Sequence, residues 1–244
     1  MPLDSWAGRG IVYDPAVAAR LLKRKDSERE KSRNKKISDI LAVAVNIFAQ
    51  EGISGFSIRR IASEAGISLS TLQHYFGTRD NLLVLTINSL LAGYIADYTD
   101  ISRDTRLSPR ERMVKVIDDL LQVISNPLIC AFYVNLWPTA TKADPVADIV
   151  RESYTQYYEA LTTIISGMRP ELSLEKASTL SCLIGSQIDG LVVTRLIAPH
   201  GLPDWEVIVD RSKAAWLAII DDFDAQEVAP APARKPARRP RAKD

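Results

Sequence analysis

The sequence predicts an all-α protein of about nine helices, an N-terminal three-helix unit containing a helix-turn-helix followed by a larger helical domain. Three observations carry this expectation. Apolar residues recur at steps of three and four along most of the chain, capping residues stand where those runs begin, and no stretch shows convincing strand alternation or an internal repeat. With 244 residues, 46% of them hydrophobic and 25% charged, the chain is long enough to bury one or two cores.

Taken in order, Ile37, Ile40, Leu41, Ala44, Ile47 and Phe48 define an amphipathic first helix. It is expected to stop at Gly52, because glycine tolerates the left-handed conformation that follows a helix end. Ser57 and Ser68 are expected to cap two short helices, since a hydroxyl satisfies an orphan amide of the first turn. Gly77 closes the third helix, and Thr78 caps a long fourth ending near Asp100. Ser108, Pro109 and Glu111 form a capping box with proline at the first helical position, opening a fifth helix that ends before Pro127. A sixth spans roughly 128–140, a seventh runs from Asp144 and Pro145 to about Met168, an eighth from Ser173 to before Pro199, and a ninth from Pro203 and Asp204 to near Phe223.

The ends differ from this body. Residues 1–34 read as a basic extension, 35–83 as the helix-turn-helix unit, 84–224 as the larger domain and 225–244 as a Pro/Ala-rich basic tail. The tail is expected to be disordered, because it cannot bury enough apolar surface to offset its ordering entropy. The formal net charge of +1 hides an asymmetry: Arg20 to Lys36 carries +6, whereas Arg103 to Asp224 carries −5. A polyanion partner at one end fits this distribution, and so does a merely solvated charge run.

Several function classes are disfavoured. Cys130 and Cys182 sit among apolar residues with no Cys-x-x-Cys or Cys/His cluster, so they are expected to be structural thiols with no metal bound. The opening MPLDSWAGRG lacks the order of a signal peptide, and polar residues interrupt each apolar run, which leads us to expect a cytoplasmic protein with no membrane partner. Two histidines, His74 and His200, with no H-E-x-x-H, G-x-S-x-G or phosphate-binding glycine loop give no enzyme signature, and no cofactor is expected.

The informative segment is SIRRIASEAGISLSTLQHYF, from Ser57 to Phe76. Ile58, Ile61, Ala62, Ala65, Ile67, Leu72 and Phe76 place core contacts on both sides of a tight turn at Gly66. Arg59, Arg60, Ser63, Ser70, Thr71, Gln73 and His74 are left facing outward. Such side chains on a short exposed helix suit a major groove, where base edges offer a distinguishable donor and acceptor pattern. A plain helical hairpin inside a larger core has similar apolar spacing.

The stretch from Ile37 to Leu83 resembles the tetracycline-repressor (TetR) family, on the run AGISLSTLQHYFGTRDNLL behind a helix of the type ILAVAVNIFAQEG. Its ending HYFGTRDNLL is most similar to the choline-regulator-like (BetI-like) branch. The resemblance implies that Ser57 and Ser68 cap the second and third helices, that Arg59 reaches phosphate or base, and that Leu69, Ser70, Thr71 and His74 face the groove. Leu69 lies three residues from Leu72, so a core position is equally open to it. Tyr75 and Arg79 would grip phosphates. Two positions depart from the family: Ser70 stands where glycine is frequent, and Gln73 where tyrosine is usual, leaving Gln73 to bind phosphate or pair with adenine. The basic arm before Lys35 is a further departure, read either as a phosphate-tracking or minor-groove arm or as a solvated extension.

The resemblance also implies a repressor that leaves a palindromic double-stranded operator when an unidentified small-molecule effector binds. Homodimerisation would run through helices 8 and 9, on stripes comprising Leu180, Leu183, Ile184, Ile188 and Leu191, and Trp205, Ile208, Val209, Ala215, Trp216 and Ile219. Helix 4 would be the lever joining head and cavity. Candidate effector-binding residues are Tyr94, Tyr98, Phe132, Tyr133, Trp137, Tyr154, Tyr157, Gln187 and Asp189, an aromatic and polar mixture that suits a cavity and that ordinary core packing also explains. Asp189, inside an apolar run, marks either a helix-helix hydrogen bond or recognition of a cationic or hydroxylated ligand. The alternative function is a DNA-binding protein that senses no small molecule and answers to protein partners.

Overall fold

A computed structural model describes residues 28–141, 144–197 and 204–223, and among these every regular element is a helix. In chain order they are α1 (Glu28–Gly55), α2 (Ile58–Glu64), α3 (Leu69–Phe76), α4 (Arg79–Arg103), α5 (Pro109–Ile124), α6 (Pro127–Ala140), α7 (Asp144–Met168), α8 (Leu174–Ile197) and α9 (Trp205–Asp222). The all-α expectation therefore holds. The proposed ends at Pro199 and Pro203, and the tail 225–244, lie outside the described residues.

Local chemistry explains most boundaries. Ser68 accepts from the Thr71 amide, Thr78 from that of Asn81, and Ser108 and Glu111 form the expected reciprocal capping box with Pro109 in the first turn. Ser57 differs: it stands at the N-cap position of α2, but its side chain makes no capping hydrogen bond. Gly52 breaks the first helix where expected, in the left-handed conformation. Its φ of 62° kinks α1, which continues to Gly55. The first helix also begins earlier than the apolar pattern indicates, at Glu28, so the exposed Arg33, Lys35 and Lys36 of the basic run ride on its opening turns.

Two hydrophobic cores result. The first gathers Phe48, Phe56, Ile61, Leu72 and Leu82 of the N-terminal helices together with Ile129, Phe132 and Leu136 of α6 and Val146 and Val150 of α7. The Phe48 and Phe132 rings lie 5.1 Å apart, and the Asn135 amide donates to the Ala49 carbonyl at 3.0 Å. The N-terminal unit is thus bolted to α6 as well as continued by α4. The second core joins the C-terminal half of α4 to α5, α7, α8 and α9 around Tyr98, Ile117, Ile164, Ile184 and Trp216. By length and mean hydropathy, α4, α8 and the stretch Arg33–Gly55 of α1 could cross a bilayer. Many of their apolar residues instead supply these two cores.

Candidate nucleic-acid interface and interior cavity

The head is built around a tight junction. Gly66, at φ 64°, lets α2 end in a Schellman arrangement, with the Ile67 amide bonded to the Ala62 carbonyl at 3.0 Å and the Gly66 amide to the Ser63 carbonyl at 3.1 Å. Leu72 and Phe76 bury one side of α3, which leaves Ser70, Gln73 and His74 exposed on the other. Ser68 does more than cap. Its hydroxyl lies 2.9 Å from that of Ser70 and 2.8 Å from that of Thr71, so three hydroxyls at the start of α3 share one hydrogen-bonded cluster. Leu69, Thr71 and Tyr75 are half-buried; Tyr75 packs against the first core, with its ring 5.7 Å from His74.

The head's arginines divide by role. Arg59 is exposed. Arg60, which the sequence also turns outward, is clamped between Glu51 and Glu64, and these hydrogen bonds raise its already high pKa while the Arg60 guanidinium lowers that of Glu51. Arg79 is occupied structurally. Its guanidinium donates to the carbonyls of Phe56 and Ile53, each at 2.8 Å, and sits 5.9 Å from the centre of the Phe56 ring. This ties the start of α4 to the end of α1, a use of Arg79 that the phosphate reading did not foresee.

Inside the larger domain, α4, α5, α6, α7 and α8 enclose a half-open cavity with about 590 Å³ of atom-free space, its mouth included. Tyr94, Tyr98, Tyr133, Tyr154, Tyr157 and Asp189 line it, as anticipated. Phe132, Trp137 and Gln187 do not. Phe132 is fully buried in the first core, because it faces α1 from α6. Trp137 donates through Nε1 to the Tyr154 hydroxyl at 3.0 Å, and Gln187 accepts from Trp216 Nε1 at 2.9 Å, so both brace the wall from outside the space. Residues missed by sequence reasoning are mainly aliphatic: Leu91, Ile95, Leu120, Val123, Ile124, Ile188 and Val192, with Ser153. Their helical spacing signals burial alone.

Asp189 is the one charged side chain among the described residues lining the cavity. It accepts from the Tyr154 hydroxyl at 3.1 Å, and burial pushes its pKa up to about 6 against the opposing pull of that hydrogen bond. Burial likewise holds the phenols of Tyr98, Tyr133 and Tyr157 neutral well above their usual range. Gly185 gives the tyrosines room: a Cβ there would lie 2.6 Å from Tyr158 Cε1 and 3.2 Å from Tyr157 Cε1.

Of the expected stripes on α8 and α9, only Leu183 and Ala215 are exposed on the outer faces. Leu180, Ile184, Ile188 and Trp216 point into the chain's own core. The outward row on α8 is Thr179, Cys182, Leu183, Ser186 and Gly190, and α9 presents Val207, Ala214, Ala215 and Ala218. These are mostly small residues that permit close helix approach.

Residues 40–85 match the family described as bacterial regulatory proteins, tetR family. A helix-turn-helix transcriptional regulator in the dhlA 5' region of Xanthobacter autotrophicus is 25% identical over 183 residues, covering 72% of this chain and 88% of the relative. The transcriptional regulator BetI of Brucella anthropi is 23% identical over 195 residues, covering 78% and 92%. Among solved structures, a TetR transcription regulator from Haloarcula marismortui superposes with a TM-score of 0.64 at 20% identity, over 77% of this chain and 97% of that one. A transcriptional regulator from Saccharomonospora viridis, solved with choline, gives 0.63 at 20% identity, over 78% and 97%.

Proposed function

We propose, for a chain that belongs to the tetracycline-repressor family of transcriptional regulators, that it is a repressor released from a palindromic operator when a small molecule fills the α4–α8 cavity. The observation that carries this reading is the reach of α4. Its first residue, Arg79, is fastened to Phe56 and Ile53 of the head, and four residues further along it, Leu91, Tyr94, Ile95 and Tyr98, line the cavity. A ligand that prefers one placement of α4 therefore biases the head by linkage, typically by about 5- to 150-fold in affinity. The Asn135–Ala49 hydrogen bond adds a second route, since α6 lines the cavity through Tyr133 two residues earlier. The choline bound by the Saccharomonospora viridis neighbour supports a small-molecule site in this fold. Such a regulator works in the cytoplasm, where the DNA is.

At the operator, α3 enters the major groove, with Ser70, Thr71, Gln73 and His74 toward base edges and Ser68, Leu69 and Tyr75 at the groove margin. Arg59 contacts phosphate. A homodimer through the outer faces of α8 and α9 sets two such helices about 34 to 36 Å apart, one turn of DNA. Genomic fragments selected by the purified protein supply the operator, and anisotropy of that fragment then reports release as candidate compounds are added. Operator affinity unchanged by each compound that binds the body would refute ligand release. Leu183→Glu, on the outward row, is expected to yield monomers in sedimentation and to weaken operator binding; a dimer that persists places the interface elsewhere.

A further inference from the structure

We infer that Ser68, Ser70 and Thr71 act as one specificity-determining unit on α3: they offer the major groove one donor and one acceptor together, and so select a base edge that accepts beside one that donates. The inference rests on the placement of α3 in the groove and deepens that reading. Ser68 Oγ accepts from the Thr71 amide at 3.1 Å, and lies 2.9 Å from Ser70 Oγ and 2.8 Å from Thr71 Oγ1. A hydroxyl has one hydrogen and two lone pairs. The amide occupies one lone pair of Ser68, so its two remaining bonds use its hydrogen and its other lone pair. One neighbour therefore donates to Ser68, and the other accepts from it.

The consequence lies on the outer side of the helix. The neighbour that donates to Ser68 has its hydrogen turned inward and meets the groove as an acceptor alone. The neighbour that accepts from Ser68 keeps its own hydrogen and meets the groove as a donor. Ser70 is exposed and Thr71 half-buried, and neither hydroxyl has a further hydrogen bond among the described residues. Rotating the three hydroxyls together exchanges the two roles without moving a heavy atom. In the major groove guanine O6 and N7, adenine N7 and thymine O4 accept, whereas the amines of adenine and cytosine donate. An unlike pair of edges is matched in either order, and a like pair leaves one hydroxyl facing a group of its own kind.

The test uses the full-length protein and the operator selected from genomic fragments. Ser70→Ala and Thr71→Ala locate the two base pairs that these hydroxyls read, by the positions at which each variant loses discrimination. Duplexes carrying every combination of those two base pairs are then compared by competition anisotropy. In the unmodified protein the combinations are expected to depart from additivity by about fivefold, unlike pairs of edges binding more tightly than like ones. Ser68→Asp keeps an N-cap that only accepts, so both hydroxyls turn their hydrogens inward and both face the groove as acceptors. It is expected to erase the coupling and to move preference toward adenine or cytosine at both positions. These are ratios among duplexes, so a uniform loss of affinity from the added charge cancels. Additive preferences in the unmodified protein, or coupling that survives Ser68→Asp in a variant with wild-type helicity, overturn the inference. Should the variants fail to fold, the coupling is sought between each adjacent pair of positions in the half-site with the unmodified protein, and its absence throughout overturns the inference equally. Altered base preference in Ser70→Ala and Thr71→Ala without coupling sinks the joint reading and leaves α3 in the groove, whereas unaltered preference in both sinks that placement as well.

Discussion

The head and the cavity solve opposite problems. In the head, function lies on the outside of one short helix, and the inside is an ordinary core of Leu72, Phe76 and Ile61. In the body, the proposed effector site lies on the inside, and no single helix owns it, since five helices each contribute part of the wall. A surface site can be specified by consecutive residues, whereas an interior one depends on how distant segments pack. The head is therefore readable and fragile at few positions, and the cavity is diffuse and tolerant.

Leu72→Ala should separate the two regions most sharply. Leu72 has no exposed surface, so the truncation is expected to cost about 2–5 kcal/mol and to abolish operator binding while the cavity still binds its ligand. Hydrogen exchange would localise the loss to α1–α3, and an equal loss of protection in α8 would show one cooperative unit instead of two regions. Next comes Arg79→Lys, which keeps the charge but removes the fork that reaches both the Phe56 and Ile53 carbonyls. If those bonds are its main role, stability falls by about 1–3 kcal/mol and the salt dependence of DNA binding is unchanged. A reduced salt slope with unchanged stability would restore the phosphate role. Arg59→Ala is expected to lower that slope by about one and to weaken all sequences alike, whereas Thr71→Ala shifts which operator is preferred.

The smallest effect sharpens the comparison from the cavity side. Asp189 has a pKa raised from 3.8 to about 6 in the folded chain, so the folded state holds its proton more tightly than the unfolded one. Its charge therefore destabilises the fold as pH rises from about 4 to 6, and that cost stays constant above. The groups facing it are the neutral phenols of Tyr154, Tyr157, Tyr158 and Tyr133, with no cation among them. Ligand-free Asp189→Asn should melt a few degrees higher than the unmodified protein at pH 8, with the gain fading toward pH 4. A gain independent of pH would mean that the carboxylate is already neutral or solvated.

What the sequence made legible follows the same division. Caps, turn glycines and the outward face of α3 depend on neighbours within four residues, and Ser68, Gly66, Thr78 and the Ser108–Glu111 box were all readable. Ser57 shows the limit: its residue type suited a cap that its side chain does not make, whereas Gly52 breaks its helix as its type suggests and lies where an added Cβ would sit 2.6 Å from Asn135 Oδ1. Cavity tyrosines were recognisable by composition, but Phe132, Trp137 and Gln187 look no different from them in sequence. Only the direction in which α6 and α8 face separates wall from brace. The same holds for α8, where Leu180 and Ile184 share the apolar spacing of an outer stripe although their side of the helix is inward.

The bolt between α1 and α6 bears on how such regulators can be recombined. An engineer who joins the first 83 residues to another sensor cuts across the Phe48–Phe132 ring contact and strands Leu136, Val146 and Val150 without their partners. The transplanted head would lose this seam and display raw apolar surface to itself and to its neighbours. A workable chimera must carry the facing side of α6 along with the head, so the unit of exchange is set by a contact between segments some 80 residues apart in the chain.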